Sequence, residues 1–313
     1  AIRATFPVPT GFFPSAKTGS LCGHRPGLKR NRHRESRPDR LASSQSFMTA
    51  PFCGAGIELS AGRVEISSPP PSHHQDRRTM SDLSSFPVTQ RWPASHPERI
   101  QLYASPTPNG VKVSIMLEET GLPYEPHVVD ISKNESKDPA FVSLNPNGRI
   151  PAIIDPAGPG GSPIAVWESG AILIYLAEKT GQLIPNAPAK RYETLTWVFF
   201  QMSAIGPMFG QLGFFLRWGG KDYEDKRPQQ RYIDESKRLL GVLDRQLEGR
   251  EWIVDDYSIA DIATLGWVNA LVETYAAGDI VGLSEYSNIQ AWLGRGLARP
   301  AVQRGLKIPA RPA

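Results

Sequence analysis

Apolar and polar positions divide the chain into two unlike halves. Residues 100–103 alternate and predict a strand, which a turn-rich hexapeptide, Ser105-Pro106-Thr107-Pro108-Asn109-Gly110, then ends. Thr107 suits an N-cap and Pro108 the first helical position. The apolar period continues to about residue 120, where Gly121 and Pro123 stop it. A second strand is expected at 124–130, and strand, helix and strand at this spacing make a parallel βαβ unit. A short helix at 139–144, a strand at 152–155, the loop PAGPGGSP at 156–163 and a strand at 164–167 follow; the last two strands form a hairpin. Glu168-Ser169-Gly170 opens an apolar helix with Ile172, Leu173, Tyr175 and Leu176 inside, Lys179 in its last turn and Gly181 as its stop. The order predicts a small mixed sheet with helices packed on it.

Beyond a linker at 184–189 no strand pattern recurs. Helices are expected near 190–218, 226–248, 258–276 and 288–298. Ser258 followed three residues later by Asp261 is a capping box, with Tyr257 and Ile262 placed as a hydrophobic staple; this signal belongs to stability, not catalysis. Residues 1–97, rich in Pro, Ser, Arg and Gly and without a sustained period, read as a disordered extension. The expected organisation is that extension, an α/β domain at 98–184 and an all-helical domain at 190–310.

Charge sharpens this division. Residues 1–79 hold 12 Lys and Arg against 5 Asp and Glu, whereas residues 80–313 hold 23 against 26. The folded part is therefore slightly acidic and offers no electrostatic reason to expect nucleic acid or an anionic membrane. No apolar run approaches the ~20 residues of a membrane helix. Met80 is the expected biological start, with the basic segment an upstream extension. Cys22 and Cys53 both lie in that segment, so any thiol chemistry of the folded part uses a thiol that a substrate brings. The lack of cysteine there fits a reducing cytosol. Cys22, His24 and Cys53, or His73 with His74, lack zinc-ligand spacing, and no metal is assigned.

The stretch Asn145 to Pro151, NPNGRIP, holds two turn-forming pairs and then an Ile-Pro bond before a β-branched run. Pro151 opens a strand. A cis bond there frees the N–H and C=O of Ile150 to pair with an extended peptide, and a trans bond makes it an ordinary strand start; the residues alone leave both open.

Five ordered motifs, SPTPNG at 105–110, NPNGRIPAI at 145–153, ESGAILIYLAEKTG at 168–181, GPMFGQ at 206–211 and SIADIA at 258–263, resemble the nu-class glutathione transferases of bacteria and fungi. The resemblance covers about 80–313. It implies a thioredoxin-like domain followed by an all-helical domain, a cytoplasmic homodimer, and glutathione as co-substrate. Ile150 before cis-Pro151 should pair with the cysteinyl part of glutathione, and Glu168 and Ser169 should hold its γ-glutamyl end. Asn109 is expected as the main donor to the glutathione sulfur and Thr107 as the second, with a plain N-cap equally open for Thr107. Ser105 and Tyr103 are the runners-up. Arg231 should reach a glutathione carboxylate, and Ser136 stands where the family often has Gln. The aromatic series Trp197, Phe199, Phe200, Phe209, Phe214 and Phe215 is a candidate pocket wall, with core packing as the alternative.

The resemblance also implies glutathione-dependent disulfide reduction. Without a cysteine after Met80, a mixed disulfide with the enzyme is excluded, so reduction runs through two bound glutathiones. Conjugation to apolar electrophiles, organic peroxide reduction, or a non-enzymatic regulatory or ligand-carrying role are the alternatives.

Overall fold

The computed structural model describes residues 83–310. The basic segment, Met80, Cys22, Cys53 and the extension as far as residue 82 lie outside them. Within the described residues, an α/β layer precedes an all-helical one, as the resemblance implies.

Four strands form one sheet in the order β2-β1-β3-β4. The central β1 (Ile100–Ala104) runs parallel to β2 (Tyr124–Val128) and antiparallel to β3 (Ala152–Asp155), which pairs antiparallel with β4 (Ile164–Trp167). Every residue of β1 is buried. Its period of two therefore feeds two cores. Ile100, Leu102 and Ala104 face the main core with α2 (Gly110–Thr120) and α4 (Ser169–Thr180), while Tyr103 points to a smaller one beneath.

That smaller core corrects one expectation. Residues 83–97 are not disordered: α1 (Val88–Arg91) delivers Val88, and Leu83 and Trp92 flank it, against Tyr103 and against Phe141 of α3 (Pro139–Leu144). Trp92 donates its indole N–H to the Val128 carbonyl at 2.9 Å and meets Tyr103 and Phe141 edge-on. The segment is too short to show a period, and burial of three apolar side chains decides it.

The helical part comprises α5 (Pro188–Phe200), α6 (Gly206–Arg217), α7 (Arg227–Gln246), α8 (Ile259–Glu273), α9 (Ser287–Leu297) and α10 (Pro300–Gly305). The single helix expected at 190–218 is interrupted by a π-helical turn, Gln201–Ile205. The sequence reading missed α10, which packs on α2: Ser114 Oγ donates to the Gly305 carbonyl at 2.7 Å. Helix α8 is buried along nearly its whole length, as its apolar circumference requires, and starts with the expected capping box at Ser258 and Asp261. Gly266 lets α8 approach the loop before α2, since a Cβ there would sit 3.0 Å from Val111 Cγ2 and 3.2 Å from the Pro108 carbonyl oxygen. That approach brings Trp267 to Asn109. Among the described residues no helix is long and apolar enough to cross a membrane.

Candidate functional site

The loop leaving β1 sets the first wall. Ser105 turns inward and donates its hydroxyl to the Val129 carbonyl, and α2 begins at Gly110, two residues later than the expected start at Pro108. Thr107 still caps the turn: its hydroxyl accepts from Gly110 N at 3.2 Å and its carbonyl from Val111 N at 3.0 Å. Gly110 is required by contact, because a Cβ would lie 1.9 Å from the Ser105 carbonyl oxygen. The turn is thus closed tightly on itself, and Thr107 and Asn109 face a cleft of about 740 Å³.

The opposite wall comes from the NPNGRIP loop. Asn145 is buried and shapes it from within, its Oδ1 accepting from Asn147 N at 3.0 Å and its Nδ2 donating to the Arg149 carbonyl at 2.6 Å. The Ile150-Pro151 bond is cis, both residues line the cleft, and no hydrogen bond engages the Ile150 backbone among the described residues. Glu168 and Ser169 complete the cleft at the N-terminus of α4. The first-turn N–H groups of a helix lack intrahelical partners and carry partial positive charge, which suits a carboxylate. Glu168, exposed and at φ +70°, stands in a backbone region that a non-glycine residue rarely adopts; such strain clusters where ligands are clamped.

A second cleft of about 330 Å³ adjoins the first, sharing Asn109, Glu168, Ser169 and Pro207 and adding Gln201, Met202 and Trp267. Asn109 stands between the two. Its Oδ1 accepts from Lys112 Nζ at 2.9 Å and from Trp267 Nε1 at 3.0 Å. Lys112 is wholly buried, and its Nζ also reaches Gln201 Oε1 at 2.6 Å, Ser169 Oγ at 3.3 Å and Met202 Sδ at 3.7 Å, with no carboxylate in ion-pair contact among the described residues. Burial pushes its pKa well below the usual lysine range, opposed by the charge of Glu168. Gln201 Nε2 is buried without a hydrogen-bond partner among the described residues.

The structure thus gathers Thr107, Asn109, Ile150, Glu168 and Ser169 around one cleft, with the buried Ser136 in the same lining. Arg231 is exposed on α7 and lines neither cleft. Nor do Ser105 and Tyr103: Ser105 is engaged with Val129, and Tyr103 lies under the sheet, stacked on His127. The six aromatics proposed as a pocket wall line neither cleft; Phe209 is core and Phe199 is 61% exposed. The aromatic that does is Trp267. Lys112, Gln201 and Trp267 were missed from sequence. The available signal was a lysine inside the run 111–117, VKVSIML, which apart from Ser114 is otherwise apolar.

The chain matches the model of the glutathione S-transferase N-terminal domain over residues 98–178 and that of the C-terminal domain over 199–300. It is 40% identical over 216 residues to the disulfide-bond oxidoreductase YfcG of Escherichia coli, spanning 66% of this chain and 94% of that protein. A glutathione transferase from Burkholderia graminis, crystallised with two glutathione molecules per subunit, superposes with TM-score 0.73 at 64% identity, covering 75% of this chain and 98% of that one. Another from Pseudomonas putida, with one glutathione disulfide per subunit, superposes with TM-score 0.73 at 61% identity, covering 73% and 100%.

Proposed function

The chain belongs to the glutathione S-transferase family, and from that premise we propose that it is a glutathione-dependent disulfide-bond reductase that uses two bound glutathiones and no cysteine of its own. The observation that carries this reading is the pair of adjoining clefts meeting at Asn109, in a chain with no cysteine after residue 79. The relatives support it: one holds two glutathiones, another glutathione disulfide, and a third is named for disulfide chemistry.

In this mechanism the first glutathione lies in the larger cleft. Ile150 pairs with its cysteinyl backbone, Ser169 and the α4 N-terminus receive the γ-glutamyl carboxylate, and Glu168 accepts from its ammonium. A free thiol is only a few per cent ionised at neutral pH, so donors that favour the thiolate raise its reactivity. Asn109 is the main donor and Thr107 the second. The thiolate attacks one sulfur of the substrate disulfide, forming a glutathione mixed disulfide and expelling the other half as thiolate. The thiolate of the second glutathione attacks the glutathione sulfur of that mixed disulfide, giving glutathione disulfide and the second substrate thiolate. The two protons lost by the glutathiones balance the two gained by the substrate thiols. The site acts by alignment and charge stabilisation, without covalent participation.

A homodimer is part of the proposal. Tyr192 and Phe199, seven residues apart on α5, are 69% and 61% exposed, and aromatics left bare on one helix face suit a subunit contact.

The test is steady-state turnover of a small disulfide and of an aryl halide, each with glutathione, by the full chain and by Asn109→Ala. Disulfide turnover that Asn109→Ala lowers about a hundredfold while glutathione still binds supports the mechanism. Turnover of the aryl halide alone makes the protein a conjugating transferase, and tight glutathione binding without turnover makes it a regulatory or carrier protein.

A further inference from the structure

A carboxamide is useful as a sulfur donor only if its NH₂ faces the sulfur, and nothing in Asn109 itself decides which end points outward. Its surroundings decide. Oδ1 accepts from Lys112 Nζ at 2.9 Å and Trp267 Nε1 at 3.0 Å, which fills both oxygen lone pairs. The indole N–H donates and cannot accept, and the Lys112 nitrogen carries N–H donors in either protonation state, so the flipped amide would set its NH₂ against the indole donor and give up the oxygen that both groups bond. Nδ2 is thereby turned away from both, and it has no hydrogen-bond partner among the described residues. The two donors come from different layers, Lys112 from α2 and Trp267 from α8.

Lys112 makes a second such choice. Its 2.6 Å bond to Gln201 Oε1 fixes that amide as well, leaving Gln201 Nε2 buried and, among the described residues, unpartnered beside the smaller cleft. A wholly buried cation whose contacts are all neutral is costly, and an anion in either cleft offsets part of that cost. Glu168 is the carboxylate whose charge reaches Lys112 from the α4 side, and it stands exposed at the mouth.

We infer that Lys112 and Trp267 are positioning residues: they hold Asn109 with its NH₂ toward the glutathione sulfur. This inference rests on the proposed role of Asn109 and extends it to two side chains that touch no reacting atom.

The experiment compares full-length wild type, Lys112→Met, Trp267→Phe, Asn109→Ala and the Lys112→Met/Asn109→Ala double variant. Three readouts are taken: the glutathione dissociation constant, kcat and KM for disulfide reduction, and the pH at which the bound thiol ionises, followed by thiolate absorbance. Lys112→Met is expected to raise that thiol pKa by about one unit and lower kcat about tenfold while changing glutathione affinity less than about threefold. Trp267→Phe shifts the thiol in the same direction by less. In the Asn109→Ala background Lys112→Met has a reduced effect, because the two act through one amide. A purely structural lysine would lower thermal stability and leave the thiol titration of the folded protein unchanged, which overturns the inference. If Lys112→Met does not fold, an unshifted thiol in Trp267→Phe overturns it. If Asn109→Ala itself leaves the thiol unchanged, the donor assignment falls; if it shifts the thiol and Lys112→Met does not, only the present inference falls.

Discussion

The indole N–H of Trp292 donates to Oδ1 of Asp261 at 2.9 Å, and both side chains are wholly buried. The same carboxylate accepts from Ile253 N at 3.0 Å, Ser258 N at 3.0 Å and Ser258 Oγ at 3.3 Å, so one side chain joins the start of α8, the preceding loop and α9. Asp261→Ala strands these donors in the core and is expected to cost about 3 kcal/mol or more, read by urea denaturation. Trp292→Phe removes one donor and keeps the aromatic volume, for about 1 kcal/mol. Turnover per folded molecule stays at the wild-type level in both, since neither residue lines a cleft.

Gly110 ties the fold to the site. With a Cβ placed 1.9 Å from the Ser105 carbonyl oxygen, Gly110→Ala must open the turn that holds Thr107 and Asn109. The expected cost is about 3 kcal/mol, and it comes with loss of glutathione affinity, measured by calorimetry on the fraction that remains folded. Gly278→Ala, where a Cβ meets nothing within 4 Å, is the control and leaves affinity unchanged.

The sheet was legible because its signals are local: β3 occupies the residues expected for it, β4 likewise, and the α3 helix is where its Pro139 start placed it. The residues facing the larger cleft were legible through motif resemblance. What escaped was tertiary. Lys112 stands out in the sequence as a lysine within the mostly apolar run 111–117, but its meaning comes from Gln201, 89 residues away; Trp267 reaches Asn109 across 158. The π turn at Gln201–Ile205 leaves no compositional mark, and α1 and α10 are too short to show a period against their neighbours.

His127 gives the fold a pH dependence. Its ring stacks on Tyr103 at 4.7 Å, and its Nε2 lies 2.8 Å from Gln101 Oε1, while Gln101 Nε2 is committed to the His96 and Arg99 carbonyls. Nε2 is therefore the protonated nitrogen of the neutral ring. Burial lowers the imidazole pKa below 6.5, with Glu125 opposing. The unfolded chain then binds the proton more readily than the folded one. Stability is accordingly full above about pH 6.5 and falls as pH drops toward the lowered folded value. Urea titrations between pH 7.5 and about 5 should show this slope, and His127→Gln, which cannot take up a proton in this range, should flatten it.

Thr107 and Asn109 separate by what else they do. Thr107 Oγ1 already accepts from Gly110 N, so Thr107→Ala removes a cap and is expected to cost about 1 kcal/mol of stability. If the hydroxyl's own proton is the lesser donor to the sulfur, kcat/KM for disulfide reduction falls by no more than about tenfold. Asn109 has no capping bond at the start of α2, and its amide oxygen is held from behind. Asn109→Ala should therefore remove thiolate stabilisation directly, lowering kcat/KM about a hundredfold, the scale seen when one preorganised donor to a developing anion is lost. Thr107→Ser, which keeps both the cap and the proton, should restore both losses. Equal falls in the two alanine variants would instead make the turn as a whole, and not the Asn109 amide, the element on which the chemistry depends.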